Sequence, residues 1–426
     1  MTRPHPRKLK NGMTAVLVPQ KGATSMTIFV MVRVGARYES RETNGASHFI
    51  EHLMFKGTKR RPTTKILTQT IDRYGAEFNA YTGKDLTAYY MKMAAERTEL
   101  AIDMLHDMLF HSLYDPKEID RERGVIVEEI NMYEDNPRMH LEEILESSLF
   151  PSSTLGWSIA GPRETIRSIT REQLIAYRDA YYIPSRMSVV VAGKIVPGVM
   201  TMLERTFGSV PEPRKAADRP FEPFLIPVKL KEPIAHQKKE TEQVQLAFGF
   251  HGLHLKHADV PAATLLGSIL GGTMSSRLFI EIRERRGLCY SIRASHEPLE
   301  DTGAFTVAAG LDRTRLKEAI AAILHELKKT TKTLVDADEL RRAKDNLRGR
   351  IMLSFENSAV QAEWFGRQWA FLGVLETPEE KLRRIEKVTP AQIRRVASAI
   401  FRPERMATAV IGPFTKPSIR SMLTWS

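Results

Sequence analysis

Two histidines and a glutamate stand close together in the segment His48-Phe49-Ile50-Glu51-His52. If this segment is helical, the imidazoles at positions i and i+4 lie one above the other on one face, with Glu51 beside them. Imidazole suits Zn²⁺, and a catalytic zinc usually has a third protein ligand and one position open to water. The spacing therefore predicts a zinc site in which Glu51 is the base that activates the attacking water.

Candidates for the third ligand lie in the segment DRERGVIVEEINMYED, which has a helical pattern. Glu122 and Glu129 share one face of such a helix, whereas Glu128 points elsewhere. Without the histidine pair, ordinary solvated helix charges would be the better interpretation of these glutamates. A buried carboxylate without a cation is costly, however, and a dication held by two imidazoles relieves that cost. We therefore predict Glu129 as the third ligand of one Zn²⁺ per chain.

The elements that position these residues follow from the hydrophobic periodicity. MTAVLVP and SMTIFVMVRVGA have the pattern of strands, and NGASHFIEHLMFKG and KILTQTIDRYG that of helices. AEFNAYT and LTAYYMKMA predict a hairpin around TGKD. Longer helical patterns follow at about 96–112, 116–134 and 138–149. Strands mixed with consecutive helices predict an α+β fold in which helices pack on an antiparallel-rich sheet.

An internal repeat indicates that the chain holds two such units. TREQLIAYRDAYYIPSRMSVVVAG, which starts at Thr170, aligns without gaps with TPAQIRRVASAIFRPERMATAVIG, which starts at Thr389. Each copy predicts a helix, a stop at Pro184 or Pro403, and then a strand. The protein is therefore predicted to be a tandem duplication.

The two predicted domains are joined by the segment VPEPRKAADRPFEPFLIPVKLKEP, whose prolines and charges suit a linker. We place an N-terminal zinc-binding domain at 1–210, the linker at 211–235 and a homologous C-terminal domain at 236–426. In the second half, EQVQLAFGF is a predicted strand. The further predicted elements of this half are helices near 258–271 and 275–286 and strands at 288–297 and 302–310.

The second half lacks the residues of the zinc site. Its counterpart of the histidine segment is ATLLGSILGGTM, and Arg350 stands near the match to Glu129. Only the first half can therefore hold the metal.

The composition is that of a soluble globular protein, with 42% hydrophobic and 27% charged residues among 426. No apolar stretch is long enough for a membrane span, and the N-terminus has no secretory signal. The single cysteine, Cys289, excludes an intrachain disulfide and fits a cytoplasmic location. The net charge of +12 is not clustered with aromatic residues, which favours a solvated basic surface over nucleic-acid binding.

With these residues in place, the chain resembles the M16 peptidases, the family of pitrilysin, insulin-degrading enzyme and mitochondrial processing peptidase. It is similar to the short, two-domain bacterial members. NGASHFIEHLMFKGT resembles the inverted HxxEH zinc motif of that family. ERGVIVEE is similar to its third-ligand helix, and this implies that Glu129 is the ligand and that Glu122 has a supporting catalytic role.

The resemblance also implies where substrate binds. GAEFNAYTGKDLTAYY resembles the exposed edge strand to which a peptide adds as a further strand, with Asn79 and Ala80 as contacts. Periodicity alone would favour an ordinary core strand here. GGTMSSRLFIEIRERRGLCYSI resembles the segment whose arginine and tyrosine grip substrate, here Arg283 and Tyr290. These two could stabilise a developing oxyanion.

The resemblance implies a zinc-dependent endopeptidase that forms a homodimer around a chamber, with Arg283 and Tyr290 able to act on the partner chain's site. One alternative is a non-catalytic assembly subunit on the same duplicated fold, against which the intact His48, Glu51 and His52 argue. The other alternative is a zinc hydrolase with a different substrate, and the edge-strand resemblance is the feature that favours peptides.

Overall fold

The structure, a computed structural model, describes residues 3–213 and 221–425. The chain forms two compact units, each with its own sheet. The first unit comprises the chain up to Ile130, with Trp157–Phe221 and Met352–Thr377. The second comprises Asn131–Gly156, Glu222–Ile351 and the chain from Pro378 onward.

The first half combines runs of strands with runs of consecutive helices. Its strands are β1 (Pro6–Lys8), β2 (Thr14–Pro19), β3 (Ser25–Val32), β4 (Glu77–Thr82), β5 (Thr87–Ala94) and β6 (Met187–Gly193). Its helices are α1 (Ala46–Leu53), α2 (Thr64–Asp72), α3 (Thr98–His111), α4 (Pro116–Asp135), α5 (Pro137–Leu149), α6 (Arg163–Ser168), α7 (Arg171–Tyr181) and α8 (Val199–Arg205).

The second half repeats this plan. Its strands are β7 (Ile234–Lys238), β8 (Gln243–His251), β9 (Cys289–Pro298), β10 (Gly303–Asp312) and β11 (Ala407–Gly412). Its helices are α9 (Val260–Gly271), α10 (Leu316–Lys332), α11 (Ala337–Ser354), α12 (Ser358–Leu372), α13 (Pro378–Glu386), α14 (Pro390–Ile400) and α15 (Lys416–Met422).

The two sheets share one topology over five strands, and the first sheet has β1 as an additional edge strand. In the first unit the strand order is β1-β2-β6-β3-β5-β4, and in the second it is β7-β11-β8-β10-β9. Each sheet contains one parallel pair, β2 with β6 or β7 with β11, and its other pairs are antiparallel. The predicted α+β fold of two similar, antiparallel-rich units is confirmed.

The central strands of the first sheet are buried on both faces, and since alternate residues of a strand point in opposite directions, they contribute to two cores. On β3, Ile28 and Val30 belong to a core shared with α1, α3 and α7. Phe29 and Met31 belong to a second core, which α12 completes with Phe365. Continuous apolar runs such as that of β3 are expected for strands covered on both faces.

Each half of the chain gives one helix to the unit built mainly from the other half. Helix α12, from the second half, packs on β3 and β6 of the first unit, and α5, from the first half, packs on β8 and β11 of the second. The approach of α12 is close, because a Cβ at Gly366 would lie 2.7 Å from the Cε of Met31. The two compact units are thus not continuous in sequence. The division of the chain into domains at 1–210 and 236–426 stays a prediction, which describes the two copies of the repeat.

Most predicted elements are present. The segment 275–286, predicted to be a helix, is helical, and Phe279–Glu284 within it forms a six-residue π-helix. The apolar spacing cannot distinguish a π-helix from an α-helix over so short a segment.

Residues 214–220 of the predicted linker lie outside the described residues. Among the described residues, none of the helices is long and apolar enough to cross a membrane.

A buried histidine in the second unit makes its stability dependent on pH. His251 is 6% exposed, its Nε2–H donates to the carbonyl of Leu149 at 2.7 Å, and burial lowers its pKa from 6.5 to about 4. Between pH 6.5 and about pH 4, the ring is therefore neutral in the folded protein, whereas it is already protonated in the unfolded chain. This contribution to stability is fully present above pH 6.5 and is lost as the pH falls toward 4.

We expect the free energy of unfolding to fall by up to about 3 kcal/mol through this histidine between pH 7 and pH 4. His251→Gln keeps a donor but cannot titrate, so its denaturant unfolding should lose that part of the pH dependence. An equal fall in the variant and the parent protein would contradict this assignment.

Candidate metal centre and active site

Helix α1 presents its chemically active residues on the side opposite its apolar face. Ala46, Phe49, Ile50 and Leu53 are buried in the core of the first unit. Ser47 of the same helix is also buried, whereas His48, Glu51 and His52 are partly accessible. The amphipathic pattern of α1 thus fixes the face on which the three polar side chains meet.

The start of α1 is held by a buried carboxylate. Glu39 is 5% exposed and accepts hydrogen bonds from the backbone N–H of Gly45 and Ser47 and from the side chain of Asn44. Burial raises the pKa of Glu39 to about 7, against the effect of these hydrogen bonds. Gly45 has φ of 98°, and a Cβ there would lie 2.6 Å from the carbonyl oxygen of Ala160. A side chain at position 45 would therefore displace the helix start.

The predicted ligands converge on one point. Nε2 of His48 lies 3.6 Å and Nε2 of His52 3.5 Å from Oε2 of Glu129 on α4. Each of the three residues offers one ligand atom, and these atoms lie within 4.8 Å of one another. Glu128, the alternative on the same helix, is exposed to solvent.

These separations fit a zinc ion. Ligand atoms at about 2.1 Å from a tetrahedral zinc are about 3.4 Å from one another, close to both nitrogen-to-oxygen distances. Two imidazoles and a carboxylate are also a donor set found at catalytic zinc. Among the described residues this is the one group of three or more such side chains with metal-binding geometry.

A fourth residue fixes the orientation of His52. Nδ1 of His52 lies 3.1 Å from Oε2 of Glu122, which is 1% exposed, and Nζ of Lys56 lies 2.6 Å from Oε1 of Glu122. Burial alone raises the pKa of Glu122, but the bonds with His52 and Lys56 outweigh it and lower the pKa. An ionised Glu122 can only accept, so Nδ1 of His52 carries the proton and Nε2 faces Glu129.

The two histidines differ in their electrostatic surroundings. Burial, together with the nearby His52, lowers the pKa of His48 to about 4. Burial also acts to lower the pKa of His52, but Glu122 and Glu129 raise it to about 9. The carboxylates therefore balance the cost of bringing two imidazoles together.

Glu51 is held from the neighbouring sheet. Oγ1 of Thr82, the last residue of β4, donates to Oε2 of Glu51 at 2.5 Å. Burial raises the pKa of Glu51, and the Thr82 hydrogen bond partly opposes that shift. A carboxyl with a raised pKa is a stronger proton acceptor once it is ionised.

Strand β4 is the edge of the first sheet and pairs with β5. Asn79 is exposed and Ala80 is 8% exposed. The backbone N–H of Ala80 donates to the side-chain oxygen of Asn79 at 2.9 Å. The edge therefore has a backbone N–H that could donate to a carbonyl of an added peptide strand in place of the Asn79 side chain.

Arg283 and Tyr290 lie together in the second unit. Cζ of Arg283, on the π-helix, is 5.5 Å from the ring centre of Tyr290 at the start of β9. The side chain of Arg283 is 37% exposed, and Tyr290 is 73% exposed. The structure therefore places these two predicted side chains next to each other, with the ring of Tyr290 exposed to solvent.

Three residues of this site were missed by the sequence reasoning: Glu39, Lys56 and Thr82. Lys56 lies three residues beyond the end of α1, so the helical spacing of His48 and His52 does not extend to it. Thr82 and Glu39 come from segments that meet α1 only in the folded chain, and no local pattern marks them.

The sequence matches two family descriptions in succession. Residues 15–163 match "Insulinase (Peptidase family M16)", and residues 168–347 match "Peptidase M16 inactive domain". A Bacillus subtilis protein named "Uncharacterized zinc protease YmxG" is 34% identical over 409 residues, which cover 95% of this chain and 97% of that protein. A Rickettsia felis protein named "Uncharacterized zinc protease" is 33% identical over 95% of this chain and 97% of its own length.

Solved structures share the fold. A protease from Helicobacter pylori superposes with a TM-score of 0.89 at 23% identity, covering 96% of this chain and 99% of that one. A Pseudomonas fluorescens structure described as a peptidase M16 inactive domain gives a TM-score of 0.86 at 17% identity, covering 97% and 99%. At these identities the likeness concerns the fold alone.

Proposed function

The chain belongs to the M16 peptidase family, and we propose that it is a zinc-dependent endopeptidase that hydrolyses peptides or unfolded segments. The observation that carries this proposal is the convergence of His48, His52 and Glu129 on one point, with Glu51 beside them on the same helix. The naming of relatives as zinc proteases supports the choice of metal.

We assign one zinc ion per chain to Nε2 of His48, Nε2 of His52 and the carboxylate of Glu129. When bound, zinc supplies a Lewis acid that acidifies a water molecule and polarises the scissile carbonyl. Glu122 acts through His52, since its carboxylate accepts the hydrogen bond from Nδ1–H and so leaves the lone pair of Nε2 to bind the metal. Lys56 keeps Glu122 ionised.

Glu51 is the proposed general base. Its carboxylate takes a proton from the attacking water and delivers it to the nitrogen of the leaving amine. This role needs a carboxylate that is ionised in the resting enzyme and able to release the proton again, which suits a pKa above the ordinary value. Thr82 occupies Oε2 of Glu51 and leaves Oε1 for the proton.

Substrate is proposed to bind in extended form along the free edge of β4, where Asn79 and Ala80 contact its backbone. Arg283 and Tyr290 are proposed to grip the substrate near the scissile bond and stabilise the developing oxyanion. We further propose a homodimer enclosing a chamber, in which these two residues serve either their own chain or its partner. A monomer with full activity in sedimentation and kinetic measurements would contradict the dimer.

The support given by Glu122 leads to a prediction about metal affinity. Glu122→Gln should weaken zinc binding about 10- to 100-fold, because a neutral amide is a poorer acceptor for Nδ1–H of His52. Competition with a chromogenic zinc chelator measures this change. Glu118→Gln, on the same helix but in its first turn, is the matched control and should keep the parent affinity. Equal affinities in the two variants would remove Glu122 from the site.

The proposed activity is tested by incubating the purified protein with a mixture of defined peptides and identifying products by mass spectrometry. Cleavage within peptides that a chelator abolishes and zinc restores supports the proposal. No cleavage of any peptide by zinc-loaded protein favours the non-catalytic assembly subunit. Zinc-dependent hydrolysis of ester or amide compounds without peptide cleavage favours a hydrolase of another substrate class.

A further inference from the structure

We propose that Thr82 is a positioning residue that holds the proposed base Glu51 in its working orientation. The proposal rests on the endopeptidase function above, and it assigns a role to a residue outside the metal ligands and the base. Oγ1–H of Thr82 donates to Oε2 of Glu51 at 2.5 Å. Within the part of the chain that the structure describes, this is the one hydrogen bond to the Glu51 carboxylate.

The bond separates the functions of the two carboxylate oxygens. Because a threonine hydroxyl has a single proton to donate, Thr82 fixes one oxygen of Glu51, and no other described residue forms a hydrogen bond with the second oxygen. The free oxygen, Oε1, then points to a defined place instead of exchanging with Oε2 by rotation about the last side-chain bond. Such fixation matters because proton transfer needs heavy-atom distances of about 2.6–3.2 Å.

The location of Thr82 links the base to the peptide-binding edge. Thr82 is the last residue of β4, and Asn79 and Ala80 lie on the same short strand. Thr82 is paired with Thr87 of β5, so its backbone is anchored in the sheet while its hydroxyl reaches α1. One strand therefore contains both the proposed substrate contacts and the residue that holds Glu51. The strand thereby determines the distance between the bound peptide and the proposed base.

The variants Thr82→Val and Thr82→Ser distinguish positioning from packing. Valine keeps the branched shape of threonine and removes the hydroxyl, whereas serine keeps the hydroxyl and removes a methyl group. Thr87→Val is the matched control, because the Thr87 hydroxyl is buried and donates to the carbonyl of Val34 at 2.9 Å, away from Glu51.

The experiment measures kcat and KM on a fluorogenic peptide, zinc affinity by chelator competition, and thermal unfolding. For Thr82→Val we expect kcat to fall about 10- to 100-fold, with KM, zinc affinity and Tm close to those of the parent protein. Thr82→Ser should recover kcat to within about threefold, and Thr87→Val should keep kcat within about twofold. In a Glu51→Gln background, Thr82→Val should cause no further loss.

The inference is overturned if Thr82→Val keeps the parent kcat, if serine fails to restore it, or if valine lowers the residual rate of Glu51→Gln by the same factor as in the parent. Its failure is distinct from failure of the proposed function. In the latter case the zinc-loaded parent protein itself cleaves no peptide.

Discussion

Glu51→Gln should lower kcat for peptide hydrolysis by about a thousandfold while the protein keeps its zinc. Glutamine has nearly the shape of glutamate and can still accept the Thr82 hydrogen bond, but it cannot take a proton from water. The loss should therefore be in kcat with little change in KM, because the change affects proton transfer and not peptide binding.

The measurement pairs steady-state kinetics with metal analysis of the same protein preparation. Glu128→Gln is a suitable control, since this glutamate is exposed on α4 beside the ligand Glu129. It should keep both the zinc and the activity. A Glu51→Gln variant that retains near-normal turnover would exclude Glu51 as the base.

His52→Ala should abolish both zinc binding and activity. Removing this imidazole leaves His48 and Glu129 as two ligands, too few for a stable protein zinc site. It also leaves Glu122 with Lys56 as its remaining close cationic partner among the described residues. We expect less than about a tenth of a zinc ion per chain after dialysis, and loss of kcat/KM of at least about a thousandfold.

Elemental analysis after dialysis against a weak chelator checks this prediction. The control is His325→Ala, which removes an exposed histidine from α10 and should leave the zinc content unchanged. Full zinc content in His52→Ala would show that the metal is bound elsewhere. The difference between the two principal variants is therefore diagnostic: Glu51→Gln keeps the metal and His52→Ala loses it.

The local chemistry of the metal helix could be predicted from the sequence. The i and i+4 spacing of His48 and His52 determines that they share a face, and the folded helix brings them to 4.6 Å between ring centres. The choice of Glu129 over Glu128 also followed from helix geometry. Each of these inferences uses the spacing of residues within a single helix, and that spacing can be obtained directly from the sequence.

The packing between distant segments could not be predicted in the same way. Helices α5 and α12 each pack on a sheet formed mainly by the other half of the chain, and the period of an apolar pattern does not say which sheet a helix packs on. The contact of Thr82 with Glu51 could not be predicted either, because it depends on the position of β4 against α1. A contact of this kind is determined by tertiary packing and leaves no spacing in the sequence.

The roles of Arg283 and Tyr290 depend on the family resemblance and not on periodicity. The structure brings the two side chains together in the second unit. Their action on substrate, the homodimer and a cytoplasmic location stay predictions. Net charge and a single cysteine are properties of the whole chain, and they do not determine which surfaces meet a substrate or a partner.

The most direct test of the account is the position of zinc in crystals of the zinc-loaded protein, measured by anomalous scattering at the zinc absorption edge. The proposed zinc site predicts one strong peak per chain within bonding distance of Nε2 of His48, Nε2 of His52 and the carboxylate of Glu129. No peak at these atoms in zinc-loaded crystals, or a peak bound by other residues, would contradict it.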